Sequence, residues 1–322
     1  AYEADVDAIA DGETVVIGGI MQHIEDAGIH SGDSACVLPP YLIGEKDLNK
    51  MREHTVAFAK ALGVIGLINV QYAVKDGIVY VLEVNPRGSR TVPFVSKAIG
   101  VPLAALAARA MLGEKLTDMG FTEEIIPHYI SVKEAVFPFT KFREFDPILG
   151  PEMRSTGEVM GVSASFGMAF AKAQLAADNR LPNSGTILLT VNDFDKNAVT
   201  PIARRFYEMG FKLLATEGTA RHLRGRGLPV SRVFKVHEGR PHGIDLILNG
   251  DVQMLINTPF GKHAQQDDYT LRQAAIAHGV AYTTTLSAAS AACDAILSMR
   301  SRTPAVQSIQ EWHAELEAGA PA

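Results

Sequence analysis

Residues 67–90 read LINVQYAVKDGIVYVLEVNPRGSR: two apolar runs separated by a turn signal, then a proline stop and two arginines. The runs predict an antiparallel hairpin that turns at Lys75-Asp76-Gly77-Ile78. Residues two apart in a strand share a face, so Glu83 and Asn85 present a carboxylate and an amide oxygen side by side. Such a pair suits a hard cation, with the remaining positions left to phosphate and water. An odd loop, for example Asp76-Gly77-Ile78 with a glycine bulge, sets Gln71 opposite Glu83 on that face. A two-residue loop turns Gln71 away, so the odd loop is the expectation. Arg87 and Arg90 follow the strand, where guanidinium groups can grip an anion bidentately. A plain strand end accounts for the same residues, since Asn-Pro is ordinary turn chemistry and Glu83 suits a solvated strand.

The chain has 322 residues, 47% of them hydrophobic and 20% charged, which is enough for two globular domains with real cores. A formal charge of −6 gives no general case for nucleic acid. Cys36 and Cys293 lie far apart in sequence, which argues against a disulfide framework and for a reducing compartment. No apolar run reaches membrane-spanning length and AYEADVDAIADG is not a signal peptide, so the expected location is cytoplasmic, with no membrane partner. Ala1 is not a start methionine and the chain opens in strand-like material, so the numbering is expected to begin inside a domain. Neither GxxxxGK(S/T) nor GxGxxG occurs.

EADVDAIADG and TVVIGGIMQHIE read as strands joined by the two-residue turn Asp11-Gly12. A polar loop from Ala27 to Ser34 follows, with His30 in it. Helical spacing covers Leu48 to Leu62, Pro102 opens a helix that Gly113 ends, Ile130 to Phe137 is a strand, and Phe166 to Ala177 is a helix. The polar stretch 176–184 is a connection, which places the expected domains at 1–178 and 179–322. Beyond it the apolar runs ILLTV, FKLLAT, VSRVF, QMLIN and AYTTT alternate with helical segments, the pattern of a doubly wound, five-stranded parallel sheet. Ligands bind such sheets beyond the carboxyl ends of the strands. Those ends are polar: Thr190, Thr216 to Thr219, Lys235, Asn257-Thr258 and Thr283 to Thr285. With Lys196 nearby and a helix opening at Gly218-Thr219, a phosphorylated metabolite is the natural ligand. His237, Glu238 and Asp245 show no diagnostic catalytic spacing, which favours binding over chemistry in this half.

EVNPRGSRTVPFVSKAIGVPLAALAARAM, RSTGEVMGV and KVHEGRPHGID, with the threonine-rich rim, resemble the carboxyl-terminal portion of the carbamoyl-phosphate synthase large subunit over essentially the full chain. The resemblance implies the carboxyl part of an ATP-grasp domain, a largely antiparallel sheet with helices, followed by an allosteric domain with the methylglyoxal synthase fold. It implies an ATP-dependent carbon–nitrogen ligase of arginine and pyrimidine biosynthesis that uses glutamine, bicarbonate and two ATP. This half resembles the unit that phosphorylates carbamate. Glu83 and Asn85 match divalent-metal ligands for Mg²⁺ or Mn²⁺, with Gln71 beside them, and K⁺ is a further implied ion. Glu3, Gly28, Ile29, His30 and Ser31 match the adenosine pocket, to which Gln71 and Glu83 also belong, and Arg87 and Arg90 match positions that meet the carbamate or phosphate anion. Lys196, Thr216, Thr219, Lys235, Asn257 and Thr258 match the site for UMP and IMP. Glu25, Asp33, Glu134, Tyr282 and Thr284 match the ornithine pocket. Implied partners are the remainder of the large subunit and the glutaminase small subunit, in a higher oligomer.

Three positions depart from the family pattern. Pro259 replaces a threonine that contacts nucleotide phosphate, Thr283 replaces an acidic residue near ornithine, and Gly88-Ser89 stands where alanines are usual. The lobe carrying the phosphate-covering loop is expected to precede Ala1, so the chain alone is expected not to make carbamoyl phosphate. Two other readings stay open: a stand-alone nucleotide-binding regulatory module, and a methylglyoxal synthase, against which the missing Gly-Gly-Asp run in KVHEGRPHGID counts.

Overall fold

The alternation in YEADVDAIAD gives β1 (Tyr2–Asp11) two unlike faces, Ala4, Val6 and Ala8 on one and Glu3, Asp5 and Asp7 on the other. A computed structural model describes residues 1–139, 146–260 and 262–318. After β1 come β2 (Val15–His23), β3 (Cys36–Leu38), α1 (Glu45–Ala61), β4 (Ile65–Lys75), β5 (Ile78–Asn85), α2 (Val92–Ile99), α3 (Leu103–Met111), β6 (Ile130–Val136), β7 (Gly157–Ser163) and α4 (Phe166–Ala176). The strands form an antiparallel sheet in the order β5-β4-β1-β2-β3-β6-β7. Its alanine and valine face packs on Leu48 and Met51 of α1. The opposite face is divided: Ile9, Val16 and Met21 lie under α2 and α3, and the carboxylates of β1 occupy the rest.

The hairpin corrects one expectation and meets another. Its turn has two residues, since Lys75 pairs with Ile78 and both Asp76 (φ 53°) and Gly77 (φ 72°) are left-handed. Gln71 pairs with Glu83 all the same, because a bulge at Leu82 inserts the extra residue into β5 between the pairs Tyr72↔Val81 and Gln71↔Glu83. The β1–β2 connection differs too. The Asp11 N–H bonds the Thr14 carbonyl at 3.1 Å, so Gly12 and Glu13 make the turn in place of Asp11-Gly12, and the Asp11 carboxylate organises it by accepting the N–H groups of Thr14 (2.7 Å), Leu116 (2.8 Å) and Glu13 (2.9 Å). Burial pushes that carboxyl up, but these backbone bonds, Leu116 first, hold it below its ordinary range.

From Thr186 the chain alternates β8 (Thr186–Val191), α5 (Lys196–Glu208), β9 (Lys212–Thr216), α6 (Glu217–Arg224), β10 (Val230–Val233), α7 (Gly243–Leu248), β11 (Met254–Thr258), α8 (Lys262–Ala277), β12 (Ala281–Thr283) and α9 (Leu286–Ser301), and ends in α10 (Ile309–Glu317). The five strands are parallel, in the order β10-β9-β8-β11-β12. The central strands β8 and β11 are buried and largely apolar because helices cover both faces, whereas the edge strand β10 carries exposed Ser231 and Arg232. Ile187 and Ile256 pack with Phe206 of α5 and Ile296 of α9, while Leu188 and Leu255 pack with Ile247 of α7 and Leu271 of α8. Each such buried side chain stabilises the fold by roughly 1.5–3 kcal/mol.

Phe170 and Ala173 of α4 share one apolar cluster with Val37 and Val132 of the first sheet and with Ala292 and Ile296 of α9. Two glycines permit this approach. A Cβ at Gly161 would lie 2.1 Å from the Ala169 carbonyl oxygen, and one at Gly167 would lie 2.3 Å from that of Asp294. The chain then returns to the first half, where Trp312 packs on Tyr129 with ring centroids 5.2 Å apart and His313 Nε2 sits 2.7 Å from the Lys97 carbonyl oxygen. No single helix among the described residues is long and apolar enough to cross a membrane.

Candidate functional site

Strand register builds the first site. Two rows cross β1, β4 and β5 on one face: Asp5 with Gln71 and Glu83, and Asp7 with Asn69 and Asn85. Each row runs from a buried carboxylate to the sheet edge. Asp7 is 1% exposed and accepts bonds from Thr91 Oγ1 (2.6 Å), Ser89 Oγ (2.7 Å) and Asn69 Nδ2 (3.0 Å). Burial, reinforced by Asp5 and opposed by those donors, lifts its carboxyl to about 6. The same bonds tie the start of α2 to the core, so the loop carrying Arg87 and Arg90 is held at both ends. Both arginines are exposed. Arg87 donates to Asn85 Oδ1 at 3.0 Å, so a cation at Asn85 has to displace that guanidinium. Glu83 is exposed beside half-buried Gln71. No group of three or more His, Cys, Asp or Glu among the described residues makes a metal cage. One carboxylate with amide oxygens therefore fits a hard cation only where phosphate and water complete its shell.

The loop after β2 lies at the Glu3 end of this face. Glu3 accepts the Gly28 N–H (2.9 Å), at a glycine with φ +97° where a side chain is strained. His30 donates its N–H to the Gly150 carbonyl (2.9 Å), and its Nδ1 accepts the Gly32 N–H (3.0 Å). Fully buried Lys133 donates to the carbonyls of Ser34 (2.7 Å) and Gly32 (3.1 Å). Ile29, His30 and Ser31 are thus presented half-buried on an anchored loop. Behind them His23 Nε2 sits 2.9 Å from Asp5 Oδ2. Burial opposes a charge on His23, but the Cys36 sulfur and the Asp5 carboxylate outweigh it and hold the imidazole above its ordinary range. Sequence reasoning missed Asp5, Asp7, His23 and Asn69. The signal available was three carboxylates at period two in EADVD, alternating with alanine and valine.

A cavity of about 420 Å³ lies between the two halves and brings together Glu25, Glu134, Tyr282 and Thr284, with Thr283 beside them. Asp33 is a correction to the expected set. It is fully buried and does not line the cavity, and its oxygens accept the N–H groups of Arg154 (2.7 Å) and Ser155 (2.9 Å). Burial pushes Glu25 up to about 7, against a bond from Thr285 Oγ1 at 2.8 Å. Burial and then the neighbouring Glu25 push Glu134 to about 8, against Lys133 and the bond from Gln174 Nε2 at 2.6 Å. Burial also holds the Tyr282 phenol protonated well above its usual range. Thr283 Oγ1 is buried with no partner among the described residues.

At the carboxyl ends of the parallel strands the expected residues divide. Lys196 is paired with Asp193 and lies over the start of α6, where a Cβ on Gly218 would meet its Nζ at 3.0 Å. Thr216 and Lys235 line a recess of only about 20 Å³. Three others turn inward onto partners within this half of the chain. Thr219 is buried with its hydroxyl 3.4 Å from the Val191 carbonyl oxygen, and Thr258 Oγ1 accepts from Asn192 Nδ2 at 3.3 Å. Asn257 donates to Asp268 (2.8 Å) and accepts from Arg272 (2.7 Å). Asp245 and Glu238 do local work: Asp245 completes a capping box with His242, and Glu238 accepts the Lys235 N–H at 3.1 Å.

Residues 2–119 match the family described as carbamoyl-phosphate synthase L chain, ATP binding domain, and residues 198–284 match the MGS-like domain. The carbamoyl phosphate synthase large chain of Gemmatimonas aurantiaca is 67% identical over 318 residues, which are 99% of this chain and 29% of that protein. Its counterpart in Archaeoglobus fulgidus is 54% identical over 98% of this chain and 29% of its own length. The Pseudomonas putida protein is 53% identical over 99% of this chain and 30% of its own length. The chain spans less than a third of the curated relatives it matches, and none of these three is a methylglyoxal synthase.

Proposed function

The chain belongs to the carbamoyl phosphate synthase large-chain family and matches its carboxyl-terminal part, and from that premise we propose that residues 1–178 are the carboxyl part of an ATP-grasp unit and 179–322 its regulatory domain. The parent enzyme in this reading makes carbamoyl phosphate from glutamine, bicarbonate and two ATP, and this half phosphorylates carbamate. The observation that supports it best is the double row of the first sheet, which aligns Gln71 with Glu83 and ends beside Asn85 and the arginines. The loop at Gly28 to Ser31, with Glu3, holds adenosine. Glu83, Asn85 and Gln71 hold Mg²⁺ or Mn²⁺, which when bound neutralises phosphate charge, and K⁺ is a second, monovalent ion. Arg87 and Arg90 orient the carbamate or phosphate anion, and the Asp7-Ser89-Thr91 bonds keep their loop in place. The chemistry is alignment and charge neutralisation, with no covalent nucleophile from the protein. In the complete large subunit, with its glutaminase partner, Glu83→Gln is expected to lower carbamoyl phosphate formation by roughly 10²- to 10³-fold. Unchanged turnover would refute the assignment. The chain by itself is expected to give none, since it spans less than a third of the relatives it matches.

The cavity favours a regulatory role alongside. The Glu25 and Glu134 carboxyls with two half-buried hydroxyl residues around one cavity suit a dibasic amino acid such as ornithine, and the rim of Lys196, Thr216 and Lys235 suits a nucleoside monophosphate, UMP or IMP. Calorimetric titration of the chain with ornithine, UMP and IMP tests this. Ornithine binding that survives Glu25→Gln with Glu134→Gln removes the cavity from the reading.

A further inference from the structure

We propose that Arg272, in the second half of the chain, is a positioning residue for the adenosine loop of the first half, acting through Asp146 and Asp33. The inference rests on the reading of residues 28–31 as nucleotide contacts and deepens it. Arg272 is 0% exposed, and its guanidinium forks onto Asp146, with Nε 2.8 Å from Oδ1 and an amino group on Oδ2. A planar, permanently charged fork fixes direction as well as distance, which a lysine at this position would not. Its remaining arm donates to Asn257 Oδ1 at 2.7 Å, at the carboxyl end of β11. One side chain thus joins the rim of the parallel sheet to a segment of the first half.

From Asp146 the contacts continue without a gap. Its carbonyl accepts from the Arg154 guanidinium at 2.9 Å, and the segment 146–155 reaches the adenosine loop at three places. Gly150 accepts the His30 N–H at 2.9 Å, and the N–H groups of Arg154 and Ser155 hold the buried Asp33 carboxylate at 2.7 and 2.9 Å. Ser155 Oγ adds a longer bond to the Gly32 carbonyl, at 3.4 Å. The segment therefore grips the loop on both sides of Ser31, and the Arg272–Asp146 pair grips the segment. This arrangement also explains why Asp33 and Asn257 are both turned away from the ligand sites expected of them.

Asp146 has a side chain 27% exposed and lies on a loop, so Asp146→Asn removes the charge without opening a core, whereas Arg272→Ala is prone to misfold. Hydrogen exchange followed by mass spectrometry on ligand-free chain compares wild type, Asp146→Asn and Asp146→Glu. In Asp146→Asn, exchange at residues 30–34 should rise by about tenfold or more, the size expected for losing one charged hydrogen-bonded pair. The hairpin 71–85 should stay at wild-type rates, and Asp146→Glu should restore most of the protection. Unchanged exchange at 30–34 overturns the proposal, as does an equal rise in the hairpin, which marks general destabilisation. Adding UMP supplies a second arm. UMP should alter exchange at 30–34 in wild type and only at the rim in Asp146→Asn. If UMP protects nothing in wild type, the rim reading fails, and the ligand-free comparison still decides the role of Arg272.

Discussion

Replacing Glu134 by glutamine should stabilise the protein at high pH and leave it nearly unchanged at low pH. Glu134 and Glu25 face one cavity, and their carboxyls are raised from 4.5 to about 8 and about 7. A raised carboxyl means that the folded chain keeps protons which the unfolded chain has already released. The stability they contribute is therefore full below pH 4.5 and is lost as pH climbs through 7 to 8. Glutamine imitates the protonated form, and its oxygen can still accept the bond from Gln174 Nε2. At about 1.4 kcal/mol per unit the whole shift is worth on the order of 5 kcal/mol. Partial solvation and coupling to Glu25 reduce the expected gain to about 2 kcal/mol at pH 9. For a chain of this size that is about 4 °C in Tm. Scanning calorimetry from pH 5 to 9 on both proteins gives the difference, in which titrations common to the two cancel. A Tm difference that is flat across this range, or that falls as pH rises, refutes the account of the cavity.

Gly167→Ala should force α4 away from α9, because the new methyl would sit 2.3 Å from the Asp294 carbonyl oxygen; a loss of about 1–3 kcal/mol or more is expected, read as a lower denaturation midpoint in urea. Trp312→Ala should release α10 from Tyr129 while leaving both sheets intact. Residues 301–306 are already exposed, so trypsin cleavage at Arg302 should accelerate by about tenfold with little change in the main transition. Asp11→Ala removes the acceptor of three backbone N–H groups and should cost about 2–3 kcal/mol near neutral pH. Its carboxyl is held below the ordinary 3.8, so that stabilisation is present above pH 4 and the gap to wild type should close as pH falls below the depressed value.

How much was legible in the sequence depended on whether a residue's neighbours in the chain were also its neighbours in space. The parallel sheet was legible because each strand is a short apolar run between helical segments. The shared face of Glu83 and Asn85 was legible because they are two residues apart in one strand. The register that brings Gln71 opposite Glu83 was expected from an odd loop and arises from the bulge at Leu82 instead. Nothing in VYVLEV marks Leu82 as the extra residue, and Asp-Gly is the natural two-residue turn. The rim shows the opposite failure. Its threonines and asparagine were placed at strand ends correctly, but Asn257 is turned by Arg272, fifteen residues on, while Thr258 bonds Asn192 and Thr219 bonds the Val191 carbonyl. In DYTLRQAA that arginine reads as one more solvated charge on a helix, and only the fold brings Asp146 to it. Asp33 was misplaced for the same reason, since its partners, Arg154 and Ser155, are more than a hundred residues away.

The three departures from the family pattern have different physical consequences. Ser89 adds to the first site: its hydroxyl donates to Asp7 at 2.7 Å and bonds Thr91, which ties the arginine loop to the buried stripe as an alanine could not. Pro259 follows two residues whose side chains already turn inward, so the missing hydroxyl leaves the rim to Lys196, Thr216 and Lys235, which are cationic or hydroxylic and suit phosphate more than they suit a base. Thr283 matters most. With a threonine there and Asp33 withdrawn behind the wall, the cavity presents the Glu25 and Glu134 carboxyls, with exposed Asp178 at its margin, and a hydroxyl that has no partner among the described residues. Burial first, and then the neighbouring Glu25, raise Glu134, so the cavity carries less charge than its composition suggests. A dibasic ligand between them would remove the repulsion and draw protons off both, and its affinity should therefore rise with pH across the range in which the unliganded fold loses stability.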